Sequence, residues 1–358
     1  NICNSILILL IFISSQDYSF AQHKESIKIS WDNKLRLPEI DGLPSIGVAG
    51  AYSAVVGEYL IVAGGANFPH AKPWDGGEKI WHSTIYYKNI KKHNSEWKIS
   101  KDGLPNPLGY GVSIELPNGL LCIGGCDANR CYNDTFLIEI INDEIRISND
   151  FPKLPVALAN ATGAKVGECI FVAGGNQTMQ DQIATSHFFM LSLSDIKSGW
   201  KELASWNAAP RGYAVSAAQN NGADDCFYLF SGRNYAPGKE IEILNDGHVY
   251  NPRKDEWQKL AGKFPVMAGS ALPIDREHIL LLGGTDTIIS GSDAHPGFGN
   301  NILFYNTRAE EIIPSTAKYP LAVTTSVAHK KNVFYMGSGE IKPGIRTPII
   351  LKGKYRIK

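Results

Sequence analysis

Six times along the chain a short apolar run stops on a glycine pair or near-pair. The runs are residues 59–65 (YLIVAGG), 120–125 (LLCIGG), 169–175 (CIFVAGG), 227–232 (FYLFSG), 279–284 (ILLLGG) and 333–339 (VFYMGSG). Short runs rich in Ile, Val, Leu and aromatic residues, punctuated by glycine, read as buried β-strands. Upstream of most pairs lies a turn with proline, then a run of small residues, as in Pro107-Leu108-Gly109-Tyr110-Gly111-Val112-Ser113 and Pro210-Arg211-Gly212-Tyr213-Ala214-Val215-Ser216. Small side chains suit a strand crowded around a central channel. Downstream comes an aromatic strand such as Thr84-Ile85-Tyr86-Tyr87, then a strand carrying Trp97, Trp200 or Trp257.

The first members of the pairs fall at 64, 124, 174, 231, 283 and 337, giving intervals of 60, 50, 57, 52 and 54 residues. A strand closing on diglycine about every 50 residues is the pattern of kelch-type blades. The reading is an all-β, six-bladed kelch-type β-propeller with four strands per blade. Trp31, within residues 27–37, looks like a fourth strand but precedes the first pair. The last unit runs out of chain soon after Ile349-Ile350-Leu351. The N-terminal strand is therefore expected to complete the last blade, hiding edges that an open sheet would expose. Residues 24–358 are expected to form one domain without a linker or a long helix. Two irregular stretches interrupt the pattern, 66–83 and 285–299. Long loops in a compact domain are frequently functional.

Composition adds constraints. With 35 basic and 35 acidic residues the chain is neutral, which argues against a nucleic-acid partner. Residues 6–13 (ILILLIFI) are apolar but too short to span a bilayer. Ser19-Phe20-Ala21 follows with small residues before Gln22. Residues 1–21 are thus expected to be a secretory signal peptide, and the protein periplasmic or secreted, free of the membrane after cleavage. Removing them removes Asp17 and no base, leaving 35 − 34 = +1. Cys122 and Cys169 lie in apolar runs and read as buried hydrophobes. Cys126 and Cys131 flank a short loop, and the spacing leaves open whether they pair.

In a blade of alternating strands, the residues after each glycine pair share a rim with those opening each inner strand. That rim collects Asn67, Asn176, Arg233, Glu340, Lys342 and Arg346, together with Tyr110, Arg211 and Tyr213. Convergent polar groups around one mouth are the default binding-site hypothesis. Glu340 is the main candidate, a carboxylate with two cations close in sequence; an ordinary loop ion pair is the competing reading. Arg346 has the forked guanidinium that suits a carboxylate ligand. Arg211, opening an inner strand, is expected to point into the mouth and bind substrate. Asn67, Asn176, Arg233, Tyr110 and Lys342 complete the expected binding set. His70, His82 and His295 lack ligand spacing, so no metal site is expected. Trp74 and Trp81 either stack on a sugar or pin down their loop.

Gly339-Glu340-Ile341-Lys342-Pro343-Gly344-Ile345-Arg346-Thr347 resembles the G-E-x-K-P-G-x-R-T loop of the kelch-propeller N-acetylneuraminate epimerases, also called sialic acid mutarotases. Ala63-Gly64-Gly65-Ala66-Asn67-Phe68 and Gly109-Tyr110-Gly111-Val112-Ser113 are further matches, and the likeness runs over essentially the whole chain after residue 21. The resemblance implies an essential glutamate at Glu340 and an essential arginine at Arg346. The blade order looks cyclically permuted, because the charged loop is last here and mid-chain in enterobacterial members. Leu108 stands where an arginine is expected, and the 66–83 insert carries Lys72 and Lys79 rather than arginine. These departures bear on specificity more than on reaction type.

The implied activity is anomer interconversion of an acidic sugar, N-acetylneuraminic acid, by ring opening, with no cofactor. Glu340 is read as the base, and Arg346 with Arg211 as the holders of the sugar carboxylate. The acid is open between Tyr110, Lys342 and a water. A non-catalytic propeller binding a glycan or protein on its rim is the alternative, while a copper radical oxidase lacks an assembled Tyr/His/Cys set. The sequence leaves the oligomeric state open, a homodimer included.

Overall fold

The computed structural model describes residues 27–180, 182–315 and 318–357; the expected signal peptide lies outside them. Six four-stranded antiparallel sheets make six blades around a central channel. From inner to outer strand, blade 1 is Tyr52–Val56, Tyr59–Ala63, Ile85–Asn89 and Lys98–Ile99. Blades 2 to 5 repeat this order, with inner strands Val112–Leu116, Thr162–Val166, Val215–Asn220 and Ser270–Ile274. Blade 6 has Val327–Lys330, Val333–Gly337 and Ile350–Ile357, and its outer strand is the N-terminal Ile27–Asp32. The register is antiparallel, Ile27 opposite Ile357 and Asp32 opposite Lys352. The strand that precedes the first glycine pair therefore completes the last blade. Trp31 secures it by stacking on Tyr319 at 4.8 Å and meeting Phe334 edge-on at 5.6 Å.

The core is divided into six layers, one between each pair of neighbouring blades. Tyr52, Ile61, Leu120 and Phe136 fill the layer between blades 1 and 2, and Leu60, Val62, Tyr335 and Ile350 fill the one that closes blade 6 onto blade 1. Each second strand is buried on both faces, which is why it reads as a continuous apolar run rather than an alternating one. The inner strands carry Ser113, Thr162, Ser216, Ser270 and Ser326 toward a narrow channel of about 180 Å³. Some of these hydroxyls satisfy one another, with Thr162 Oγ1 2.7 Å from Ser216 Oγ.

The glycine pairs have a common conformation. Both members are left-handed at Gly64-Gly65, Gly124-Gly125, Gly174-Gly175 and Gly283-Gly284, and serine takes the first place in Ser231-Gly232 and Ser338-Gly339. In blade 6 the equivalent of the diglycine is thus 338–339, one residue later than the spacing suggests. The residue after each pair bridges back to the turn before the inner strand. These bridges are Ala66 with Ala49, Cys126 with Gly109, Asn176 with Ala159, Arg233 with Gly212, Thr285 with Met267 and Glu340 with Val323.

One residue beyond each bridge the six blades are joined by a closed ring of backbone hydrogen bonds. Gly50 N–H donates to Thr324 O, Thr324 to Ala268, Ala268 to Tyr213, Tyr213 to Asn160, Asn160 to Tyr110 and Tyr110 to Gly50, all at 2.7–2.9 Å. Every ring residue has positive φ, including Tyr110 at 61° and Tyr213 at 56°. Left-handed backbone is unfavourable for bulky residues, so here the ring and the packing over-determine it.

Candidate active site in the propeller mouth

The ring forms the floor of a cavity of about 540 Å³ lined by Phe68, Trp74, Lys79, Tyr110, Tyr213, Arg233, Glu340 and Arg346, among others. Three loops make its walls. Blade 1 contributes the 66–83 insert, which is a two-stranded hairpin, Ala66–Asn67 against Ile80–Trp81, around a short 3-10 turn. Blade 5 contributes residues 285–299. Blade 6 contributes the hairpin of Glu340–Lys342 and Ile345–Arg346.

That last hairpin sets Glu340 directly opposite Arg346. Glu340 Oε1 lies 2.9 Å from Arg346 Nη1 and accepts a hydrogen bond from the Gly344 N–H. Gly344 can turn the loop this way because its φ is 78°. Among the described residues Oε2 accepts a hydrogen bond only from Thr324 Oγ1, at 3.3 Å, and is the less engaged of the two oxygens. Arg346 is almost fully buried. Its Nε donates to Ala66 O at 3.2 Å and its Nη2 to the Tyr110 hydroxyl at 3.3 Å, while the guanidinium lies over the Phe68 ring. Nη1, although close to the carboxylate, is not aligned for a hydrogen bond to it. With Nη1 buried beside the carboxylate, the pair is held by charge rather than by an aligned hydrogen bond.

Tyr110 lies beneath Arg346, and burial pushes its phenol far above the ordinary range against the opposing pull of Arg346. It is therefore a neutral hydrogen-bond donor. Arg233 stands on the far wall over the Tyr213 ring at 4.3 Å and bonds to Gln182. Arg233 and Glu340 occupy equivalent bridge positions in blades 4 and 6.

The structure moves four of the expected binding residues away from the cavity. Arg211 is fully buried behind the rim. Its two terminal nitrogens fork onto Asp246 at 2.8 and 3.0 Å, with Ser231 O as a further acceptor and the Trp206 ring below. The residue does not open the inner strand Val215–Asn220 as expected but lies in the turn four residues before it, and its side chain packs into the layer beside blade 4. Asn67 is one residue past the bridge position, so alternation points it inward, where it donates to Gly47 O and meets His82 Nε2 at 2.9 Å. Asn176 does hold a bridge position, yet its amide is consumed by Asn160 and Thr178 O. Lys342 reaches outward and donates to Asp293 O at 3.0 Å. It ties the blade 5 loop to blade 6, as Lys72 ties it to blade 1 through the Asp293 carboxylate. Of the expected set, Glu340, Arg346, Arg233 and Tyr110 come together. Lys79, Met267 and Phe298 join them without having been expected in the wall. Cys126 and Cys131 are free thiols facing each other across one antiparallel bridge below the cavity.

Six radially arranged four-stranded blades, with an acid–guanidinium pair in one mouth, define a kelch-type β-propeller with a small-molecule pocket. The solved structure titled "Structure of YjhT" aligns at a TM-score of 0.64 with 12% identity, covering 87% of this chain and 97% of that one. The family profile described as N-acetylneuraminate epimerase matches residues 15–147 and 151–292. The chain belongs to the N-acetylneuraminate epimerase family. It is 27% identical over 236 residues to the N-acetylneuraminate epimerase of Haemophilus influenzae (strain PittEE), covering 58% of this chain and 60% of that protein. The corresponding protein of Yersinia enterocolitica is also 27% identical over 236 residues, with 57% of each chain covered. The chain thus matches about 60% of the length of these curated relatives. The matched family segments end before the Glu340 hairpin, whose likeness to the family rests on its own motif.

Proposed function

We propose that this protein interconverts the anomers of N-acetylneuraminic acid or a close acidic sugar by acid–base-assisted ring opening. The observation that carries this reading is the Glu340–Arg346 pair, a carboxylate with one lightly engaged oxygen in a cavity whose lining includes further cations and aromatic rings. Glu340 Oε2 takes the proton of the anomeric hydroxyl. Arg346 pairs with that carboxylate and holds it at the cavity wall. Arg233, on the opposite wall, suits the sugar carboxylate by its forked donors. The rings of Phe68, Trp74, Tyr110 and Tyr213 also line the cavity, each with a cation over one face. Membership of the epimerase family supports the substrate class, and a secreted or periplasmic location fits the apolar N-terminal run.

Positioned proton transfer contributes about 10²- to 10⁴-fold, sufficient for a reaction that already proceeds slowly in water. The test is anomer exchange followed by proton NMR on freshly dissolved sialic acid. Wild-type protein should accelerate exchange, and Glu340→Gln should abolish the acceleration while still binding the sugar. Equal rates for the two proteins would refute the assignment. Saccharide binding by the wild type with no rate effect would mean a binding module instead.

A further inference from the structure

Lys79 is the cavity residue that the Glu340–Arg346 pair leaves unexplained. It precedes the return strand Ile80–Trp81 of the blade 1 hairpin and lines the same cavity as Glu340 and Arg346. Its ammonium lies 4.2 Å from the Tyr110 ring centroid and 4.8 Å from that of Trp81. Among the described residues no hydrogen-bond acceptor or ion-pair partner is within contact distance of it, although the Glu340 charge acts on it from further away. An ammonium with three donors, held on two ring faces and unmatched at the wall of a cavity, is completed only by an acceptor brought in from outside.

We propose that Lys79 is the proton donor to the ring oxygen of the sugar, acting opposite Glu340. This rests on the mutarotase reading given above. In ring opening, Glu340 removes the proton of the anomeric hydroxyl, whose oxygen electrons form the new C=O. The bond from the anomeric carbon to the ring oxygen breaks, and the departing oxygen takes a proton from the Lys79 ammonium. The products are an open-chain ketone with a free hydroxyl, a protonated Glu340 and a neutral Lys79. After rotation about the bond next to the carbonyl, that hydroxyl attacks the other face. Its proton returns to Lys79, and Glu340 returns its own to the new anomeric oxygen. No net proton is gained or lost.

The competing donors are worse placed. Lys342 is engaged at Asp293 O outside the cavity. Tyr110 is held as a weak acid by burial. For Lys79, burial foremost and the neighbouring Arg346 charge pull the ammonium below the ordinary lysine range, against smaller upward effects that include Tyr213 and Glu340. A proton donor must be protonated at the start, so the rate should fall as pH rises through the Lys79 value. The alkaline limb should therefore lie below the usual lysine range.

The test compares Lys79→Arg, Lys79→Met and wild type by NMR anomer exchange across pH, with sialic acid affinity measured in parallel. Lys79→Arg keeps the charge but scarcely gives up a proton, so it should still bind the sugar and lose about 10²-fold or more in exchange rate. Its alkaline limb should vanish. A Lys79→Arg protein that keeps the wild-type rate and limb overturns the assignment, as does a loss explained wholly by weaker binding. Alkylating Lys79→Cys to thialysine restores the shape with a less basic amine. Regained activity with the limb shifted to lower pH supports the proposal, and regained activity with an unmoved limb overturns it. A wild-type protein that does not accelerate exchange refutes the parent reading, whereas an active Lys79→Arg beside an active wild type refutes the Lys79 role alone.

Discussion

Arg211 and Asp246 offer the clearest test of how this mouth is built. Arg211 is fully buried, and its terminal nitrogens meet both Asp246 oxygens at 2.8 and 3.0 Å. Asp246 also faces His248 Nε2 at 2.8 Å. Replacing Asp246 by alanine leaves the guanidinium buried with its charge uncompensated and two N–H groups without acceptors. Breaking a buried ion pair from one side costs about 3–5 kcal/mol, and the lower end of that range is expected here, since Asp246 is partly exposed. Replacing both partners, as Arg211→Met with Asp246→Leu, should recover most of the loss, because an apolar pair of similar volume avoids the desolvation cost. The assay is urea unfolding of the single and double variants, with anomer exchange on each folded protein. The pH dependence follows from the carboxyl. Burial would raise the Asp246 pKa, but hydrogen bonds from His248 and Arg211 outweigh it and hold the carboxyl well below the usual range. A group depressed in the folded state contributes stability above its unfolded pKa and loses it as pH falls through the folded value. The contribution should thus persist at neutral pH and fade only in strong acid. An Asp246→Ala protein within about 1 kcal/mol of wild type, or one whose chief defect is sugar affinity, would refute this structural role and return Arg211 to the binding set.

Further tests are independent of that network. Tyr110→Phe removes the hydroxyl that accepts from Arg346 and should lower kcat/KM by roughly 3- to 10-fold, the worth of one hydrogen bond, with little change in melting temperature. Gly50→Ala places a methyl 2.7 Å from the Tyr110 ring at a backbone φ of +70°; it should cost about 1–3 kcal/mol and reduce activity through displaced Tyr110. Burial raises the thiol of Cys126 to about 12 and that of Cys131 to about 11. Both should therefore resist alkylation at pH 8 in the native state and react on unfolding, as mass spectrometry would show. Trp31→Ala should loosen the outer strand of blade 6 by about 2–4 kcal/mol and give early hydrogen exchange in residues 27–32, detectable by mass spectrometry.

The fold was legible because each blade writes the same local signals, an apolar strand and a left-handed corner that glycine occupies without strain. The register in blade 6 was less so. Serine at 338 adopts the left-handed conformation that glycine usually supplies, and Gly337 just before it imitates the pair. Within the site, Glu340 and Arg346 were readable since seven residues of one hairpin bring them together. Arg211 escaped the reading because it precedes the inner strand Val215–Asn220 by four residues, and a turn does not carry the alternation of a strand. Lys79 was hidden for another reason. Its partners Trp81 and Tyr110 are on the blade 1 hairpin and the start of blade 2, and no periodicity reports that a loop folds back over its neighbour.

The closed ring of backbone bonds has a consequence for how such a mouth changes over time. Each ring residue gives one bond and takes one through main-chain atoms alone, so the ring is indifferent to the side chain it carries except for its left-handed φ. The six bridge positions above it hold Ala66, Cys126, Asn176, Arg233, Thr285 and Glu340, six different residues on one repeated frame. The frame thus works as a socket plate whose contacts can be exchanged singly. A new acid or cation at one socket alters which ligands the mouth accepts, while the hydrogen bonds holding the blades together stay as they were.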